Sequence, residues 1–343
     1  MNQSTSNKGF ALKIIEDSDA PMAQRLSQSE KPLPQLKPGQ VLLKVHASVV
    51  NPSDLIYLKG KYGLPPVEGA YAGFEGCGTV IATNAGLYGK WLIGKRVAMA
   101  AQPGNDGFWC QYAVTLANLC LPLRKDISDE QASTIIVNPC TSVCLVDRAK
   151  TLGAKAIIIN AAASQVGKGV IRYANLLNIK VIATVRSQAN IDVLQKLGVE
   201  QALLTTSPTF KADLTAAAKA LRATVLLDAV AADDTALVLH CMQSRSTAIV
   251  YGRLTESQDP IGGQFGVADI LFRDSKIEGF WLANYMRYAK PWQILALSKK
   301  VQRLFAQGIF QTDVYASVGF EDFIPALAHY AVNKSDGKVI FVP

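Results

Sequence analysis

The chain has 343 residues, 49% of them hydrophobic and 18% charged, with a formal net charge of +8. This length and composition exclude a disordered chain and predict two domains or one large one, with a sizeable core. No apolar run approaches the ~18 residues that cross a bilayer, and the polar start MNQSTSNKGF has no signal region, so a cytoplasmic protein without a membrane partner is expected.

The basic residues occur singly or in pairs such as Lys95-Arg96, Arg124-Lys125 and Lys299-Lys300. That dispersal argues against nucleic acid and leaves a field that favours a small anionic ligand. Six cysteines stand at 77, 110, 120, 140, 144 and 241, with no CxxC pair. Cys140 and Cys144 have helical spacing, but the chain has only three histidines to complete a metal site. The cysteines read as small buried hydrophobes in a reducing compartment, and no metal is expected.

In chain order, residues 38–50 alternate after a Pro-Gly turn and predict a strand. Residues 51–71 are rich in Gly, Pro and Tyr and predict loops. Short strands follow at 73–82 and 92–100, so the first ~125 residues are mostly β. Residues 129–150 have helical composition. From there wholly apolar strands at 156–160, 180–185, 202–204, 224–227 and 248–251 alternate with helical segments at 168–178 and 191–197. That alternation predicts a parallel sheet covered on both faces, a doubly wound domain over 128–274.

The first of these strands, AIIIN, runs into Ala161-Ala162-Ala163-Ser164-Gln165-Val166-Gly167. A dinucleotide fold places a glycine-rich turn there, with the pyrophosphate at the following helix N-terminus. The usual GxGxxG becomes Ala162-x-Ser164-x-x-Gly167. The residues stay small where the backbone approaches the ligand, and glycine is kept where helix and strand pack. Ala162, Ser164, Gln165, Val166 and Gly167 are therefore the candidate pyrophosphate contacts. The second strand ends in Val185-Arg186-Ser187, with valine at the position where NAD-binding folds carry an acid. Arg186 and Ser187 suit a 2′-phosphate, which predicts NADPH as cofactor and NADH as the weaker ligand.

The segments Asn51-Pro-Ser-Asp54, Gly60-Lys61-Tyr62-Gly63, Gly73-Phe-Glu-Gly-Cys-Gly78, Val137-Asn-Pro-Cys-Thr141 and Gly279-Phe-Trp-Leu282, with the phosphate turn and Val185-Arg186, resemble the medium-chain dehydrogenase/reductases. The likeness runs from about residue 38 to the C-terminus. It is strongest to the zinc-free quinone oxidoreductases and the mitochondrial-type 2-enoyl thioester reductases. The resemblance implies a Rossmann domain inserted into a GroES-like, mostly β catalytic domain made of 1–127 and 275–343. Zinc alcohol dehydrogenases similar to this chain carry Cys where Asn51 stands and His where Phe74 stands, and the four-cysteine structural zinc segment is missing here. Hydride transfer without a metal disfavours simple alcohols and favours a quinone or an α,β-unsaturated carbonyl, whose own carbonyl is the electron sink.

The resemblance also implies the site. Tyr62 matches the proton-donating tyrosine of the enoyl reductases, although a pocket-lining role fits it too. Asn51 and Thr141 match residues beside the nicotinamide, where capping and turn roles are the alternative. Phe280 and Trp281 match backbone that passes the nicotinamide amide, a core strand being the other reading, and Tyr251 borders the cofactor cleft. Two departures, Ala163-Ser164-Gln165 in the turn and Cys144-Leu145 after Thr141, weigh against a fatty acyl thioester. A dedicated enoyl thioester reductase stays open as the second reading, and a non-catalytic NADPH-binding protein as the third. Relatives dimerise through the Rossmann sheet edge, which implies a homodimer through the segment around Phe265–Ile270.

Overall fold

The computed structural model describes residues 6–17, 19–102, 104–231, 233–255 and 265–343. Two compact units emerge, residues 1–137 with 298–343 and residues 138–297. Both limits of the second unit lie later than the expected 128 and 274. Its last strand runs to Gly279 and belongs hydrogen bond by hydrogen bond to the parallel sheet.

Unit one opens with an antiparallel hairpin, β1 (Ser6–Leu12) and β2 (Leu26–Pro32). Next come β3 (Gln40–Val49), helix α1 (Pro52–Leu58), β4 (Glu75–Thr83), α2 (Gly86–Leu92), β5 (Arg96–Ala100), β6 (Tyr112–Leu116), β7 (Cys120–Pro122) and α3 (Asp129–Ala132). The strand expected over 92–100 begins only at Arg96, because Leu92 closes α2 and Gly94 turns the chain with φ +75°. The expected helix over 129–150 is two helices, α3 and α4 (Val137–Thr151). Pro139 sits in the first turn of α4, where no intrahelical N–H is missed.

Unit two alternates strand and helix: β8 (Ala156–Ile159), α5 (Gln165–Leu176), β9 (Lys180–Val185), α6 (Ala189–Lys196), β10 (Gln201–Leu204), α7 (Phe210–Leu221), β11 (Ala223–Asp228), α8 (Asp233–Cys241), β12 (Thr247–Val250), α9 (Val267–Arg273), β13 (Lys276–Gly279) and α10 (Leu282–Tyr288). The six strands are parallel in the order β10-β9-β8-β11-β12-β13. The chain reverses direction across the sheet between β8 and β11, where doubly wound folds bind nucleotides at the strand C-termini. The expected edge segment 265–270 instead enters α9, and β13 is the edge strand. Phe280 and Trp281 lie beyond β13 and Leu282 opens α10, so the core-strand reading of these residues is not what forms.

Helix α11 (Pro291–Ala306) leads back to unit one, which β14 (Val314–Val318), α12 (Phe323–Val332) and β15 (Lys338–Phe341) complete. β15 pairs with β3 in a sheet ordered β14-β15-β3-β4-β5-β7, with β6 also on β3. Its core is aromatic. Phe10 of β1 meets Phe323 at 4.7 Å between centroids, and Trp109 meets Phe323 at 4.9 Å. The first strand thus buries into a core that includes Phe323 and Phe341, more than 300 residues away in sequence.

Candidate active site

In unit two the residues proposed for the cofactor gather at the C-terminal edge of the parallel sheet. Ser164 is the N-cap of α5, its hydroxyl accepting from the Gly167 N–H at 3.1 Å. That cap starts α5 three residues before the expected 168. Ala161 takes a left-handed φ of +46°, turning the chain between β8 and the helix. A Cβ on Gly167 would lie 2.3 Å from the Ala162 carbonyl oxygen, so only glycine lets the first helical turn sit on Ala162. Ala162 is fully buried beneath that turn, whereas Gln165 and Val166 are half-buried. The Ser142 hydroxyl donates to the Val166 carbonyl at 3.0 Å, which joins α4 to the turn beside buried Thr141.

At the end of β9, Arg186 and Ser187 are exposed, and no ion pair engages Arg186 among the described residues. At the end of β12, the Tyr251 hydroxyl is buried without a hydrogen-bond partner among the described residues. Burial, reinforced by nearby Asp228, holds that phenol far above its ordinary pKa. The Phe280 N–H donates to the Val250 carbonyl at 2.8 Å, which sets Phe280 and Trp281 beside the end of the same strand. A cross-tie missed by sequence reasoning closes the edge. Asn160, after β8, donates to the Asp228 carboxylate and accepts from the Ala229 N–H at 2.7 Å. Asp228 also accepts from the Val230 and Ala231 N–H groups, both at 2.9 Å, and from Thr235. These bonds satisfy a fully buried carboxylate and fix the two strands that flank the switch point. The capped helix, the glycine contact, the unpaired Arg186 and the orphaned Tyr251 hydroxyl fit a phosphorylated dinucleotide.

In unit one, Tyr62 lies half-buried in the loop after α1, its ring 5.1 Å from Phe74. Tyr57 meets the same Phe74 ring at 5.1 Å, and its hydroxyl accepts from the Val67 N–H at 3.3 Å, bracing the loop from its other end. Asn51 is 1% exposed at the start of α1. Its amide nitrogen donates to Glu75 Oε1 at 2.7 Å, and its amide oxygen accepts from Lys338 Nζ at 2.8 Å. Asp54 caps the same helix start from within, accepting from the Asn51 N–H at 2.7 Å and the Phe74 N–H at 2.9 Å. Lys338 also donates to the Tyr330 hydroxyl at 2.9 Å and the Val50 carbonyl at 3.2 Å. Glu75 Oε2 accepts from the Ile136 and Val137 N–H groups at 3.0 and 2.8 Å.

This interior holds two carboxylates and one ammonium. Burial pushes Asp54 and Glu75 up, each to about 7, and pushes Lys338 down to about 8. Hydrogen bonds and the Lys338 charge oppose the rises at Asp54 and Glu75, the two carboxylates oppose the fall at Lys338, and the Glu75 charge adds to the rise at Asp54. Sequence reasoning found Asn51 but not its partners. The Asn51-x-x-Asp54 capping spacing was the legible signal. Among the described residues no three His, Cys, Asp or Glu side chains form a group that could hold a metal ion. At the two positions where zinc dehydrogenases place Cys and His, the amide of Asn51 is spent on Glu75 and Lys338, and the ring of Phe74 packs on Tyr57 and Tyr62.

Comparison with known proteins agrees with this architecture. Residues 37–125 match the alcohol dehydrogenase GroES-like domain, and residues 166–297 match the zinc-binding dehydrogenase family. Mitochondrial enoyl-[acyl-carrier-protein] reductase of Rattus norvegicus is 29% identical over 307 residues, covering 84% of this chain and 77% of its own. The crystal structure of a candidate NADPH:quinone reductase from Mesorhizobium loti is 33% identical, with a TM-score of 0.90 and full coverage of both chains. The mitochondrial 2-enoyl thioester reductase heterodimer from Candida tropicalis, 18% identical with a TM-score of 0.81, covers 99% of this chain and 100% of its own and shares the fold. A relative matched end to end, on a chain that lacks the zinc-binding side chains, leaves one conclusion: this protein belongs to the zinc-free branch of the medium-chain dehydrogenase/reductase superfamily and is an oxidoreductase.

Proposed function

We propose that the protein is a zinc-independent, NADPH-dependent reductase of a quinone or an α,β-unsaturated carbonyl. The observation that carries this reading is the Asn51 amide held between Glu75 and Lys338. It puts an amide and an ammonium where a catalytic metal would need a thiolate, so the substrate must supply its own electron sink.

Bound NADPH supplies the hydride. Ser164 through Gly167 hold its pyrophosphate, Arg186 and Ser187 its 2′-phosphate, and Tyr251, Phe280 and Trp281 line its course. The Tyr62 hydroxyl donates to the substrate carbonyl oxygen, where negative charge grows as the double bond is reduced. Asn51 acts as a positioning residue, because both ends of its amide are engaged inside unit one. Thr141 stands beside the nicotinamide. A second reading, reduction of a 2-enoyl thioester, is favoured by the match of Tyr62 to the enoyl reductase tyrosine and by the enoyl reductase relatives. A steady-state screen of NADPH consumption across quinones, enals, enones and enoyl thioesters tests the proposal. Turnover on a quinone or enone is expected. Turnover confined to enoyl thioesters would select the second reading, and cofactor binding with no turnover on any panel would contradict both.

Arg186→Ala should weaken NADPH roughly tenfold to a hundredfold, the worth of one charge-assisted phosphate contact, and leave NADH binding unchanged. Titration of both cofactors checks this, and an equal loss for the two would contradict the 2′-phosphate assignment.

A symmetric homodimer is proposed through the β13 edge. That strand offers unpaired backbone groups, and beside it α9 exposes Val267, Leu271 and Phe272 at 73, 65 and 81%. Sedimentation at micromolar concentration should give a dimer, and a monomer would contradict it. A reducing, cytoplasmic setting is supported by the buried thiols of Cys77, Cys110, Cys120 and Cys241.

A further inference from the structure

Residues 279–312 carry Arg287, Lys290, Lys299, Lys300 and Arg303 and not one Asp or Glu. Within this acid-free stretch, the end of α10 and the first turns of α11 expose large side chains to solvent. Tyr288 is 74% exposed, Trp292 64% and Leu295 49%. A cation lies against each exposed ring: the Arg287 guanidinium is 5.6 Å from the Tyr288 centroid, and the Lys290 ammonium is 5.1 Å from that of Trp292. Neither Arg287 nor Lys290 has an ion pair among the described residues. Trp292 and Leu295 stand three apart on α11 and share a face of the helix.

We infer that the end of α10 and the exposed face of α11 dock onto an anionic phospholipid bilayer. The chemistry is that of an interfacial anchor. Tryptophan and tyrosine rings settle at the headgroup level, an aliphatic side chain reaches the acyl boundary, and unpaired Arg and Lys meet lipid phosphates and carboxylates. An acid-free stretch with five cations supplies the charge complementarity to that surface. The inference departs from the sequence expectation of no membrane partner, which rested on spanning length. Indeed no described helix is long and apolar enough to span. Lying on a bilayer requires only an exposed apolar and cationic face. The inference is independent of the substrate reading.

The test is co-sedimentation of the full chain with vesicles of phosphatidylcholine alone and of phosphatidylcholine rich in phosphatidylserine. Binding to the anionic vesicles and weak binding to the neutral ones are expected, with the difference fading as salt is raised. The paired change Arg287→Glu with Lys290→Glu should weaken anionic binding about tenfold or more. Trp292→Ser should weaken binding with charge intact. NADPH-dependent turnover of a water-soluble quinone by these variants should match that of the parent and reports their folding, so a failed vesicle result and a failed substrate reading are distinguishable.

Trp91 provides an internal control. It is 53% exposed in unit one, with the Lys95 ammonium 4.3 Å from its centroid. Trp91→Ser should leave vesicle binding intact. Equal binding to both vesicle types, undiminished binding by the charge-reversed variant, or loss confined to Trp91→Ser would overturn the assignment. Absence of vesicle binding would also overturn it and direct the patch to an acidic protein instead.

Discussion

Lys338→Met is expected to lower the unfolding free energy by about 3–5 kcal/mol, because it strips the ammonium from two buried carboxylates while keeping most of the side-chain volume. The cost should depend on pH. Asp54 and Glu75 are raised to about 7, so the native state binds protons that the unfolded chain has already released. Their contribution to stability is complete below the unfolded carboxylate range near ~4 and is lost as pH rises through about 7. Lys338 is depressed to about 8, so its contribution is complete above the unfolded lysine value of ~10.4 and is lost as pH falls through about 8. Without the ammonium, both carboxylates hold their protons more tightly. The variant should therefore lose more stability near pH ~8 than near pH ~5, where the acids stay neutral. Urea unfolding at the two pH values measures this. A cost that is small and equal at both would show that the interior does not depend on the lysine charge.

Tyr62→Phe is expected to lower kcat on the best enone or enoyl substrate by ~10²–10⁴, the usual worth of general acid help. The substitution removes only the hydroxyl and keeps the ring that meets Phe74. The loss should fall on kcat rather than KM, since the contact strengthens as charge develops on the substrate oxygen. NADPH affinity should hold, because the phosphate turn and Arg186 belong to unit two. Quinones should suffer less, as their reduction leaves a delocalised anion that water can protonate. Steady-state kinetics on one enone and one quinone check this. An unchanged kcat on the enone would reduce Tyr62 to a pocket wall.

The centre of the parallel sheet was legible because its strands are buried on both faces and print unbroken apolar runs. Ile157–Ile159 and Val181–Val185 could be read directly as β8 and β9. Gly167 was legible because close packing of helix on turn admits no other residue. The β1–β2 hairpin escaped because Leu26–Pro32 buries only Leu26 and otherwise reads as a polar loop. Lys338 escaped for a deeper reason. A lysine that opens an apolar strand looks solvated, and only the pairing of β15 with β3, some 290 residues away in sequence, buries it beside Asn51. The segment around Phe265–Ile270, expected as the sheet edge, enters α9, whose apolar run is too short to carry a clear period. The cationic surface over 279–312 escaped because the bases are dispersed. Its signal is the missing acids, which a search for basic clusters does not count.

The central claim is hydride transfer without a metal, and the most direct measurement is zinc content and NADPH-dependent turnover of one preparation with and without a chelator. Substoichiometric zinc and unchanged turnover of a quinone or enone under the chelator are predicted. About one zinc per chain near Glu75, with turnover lost on its removal, would contradict the account.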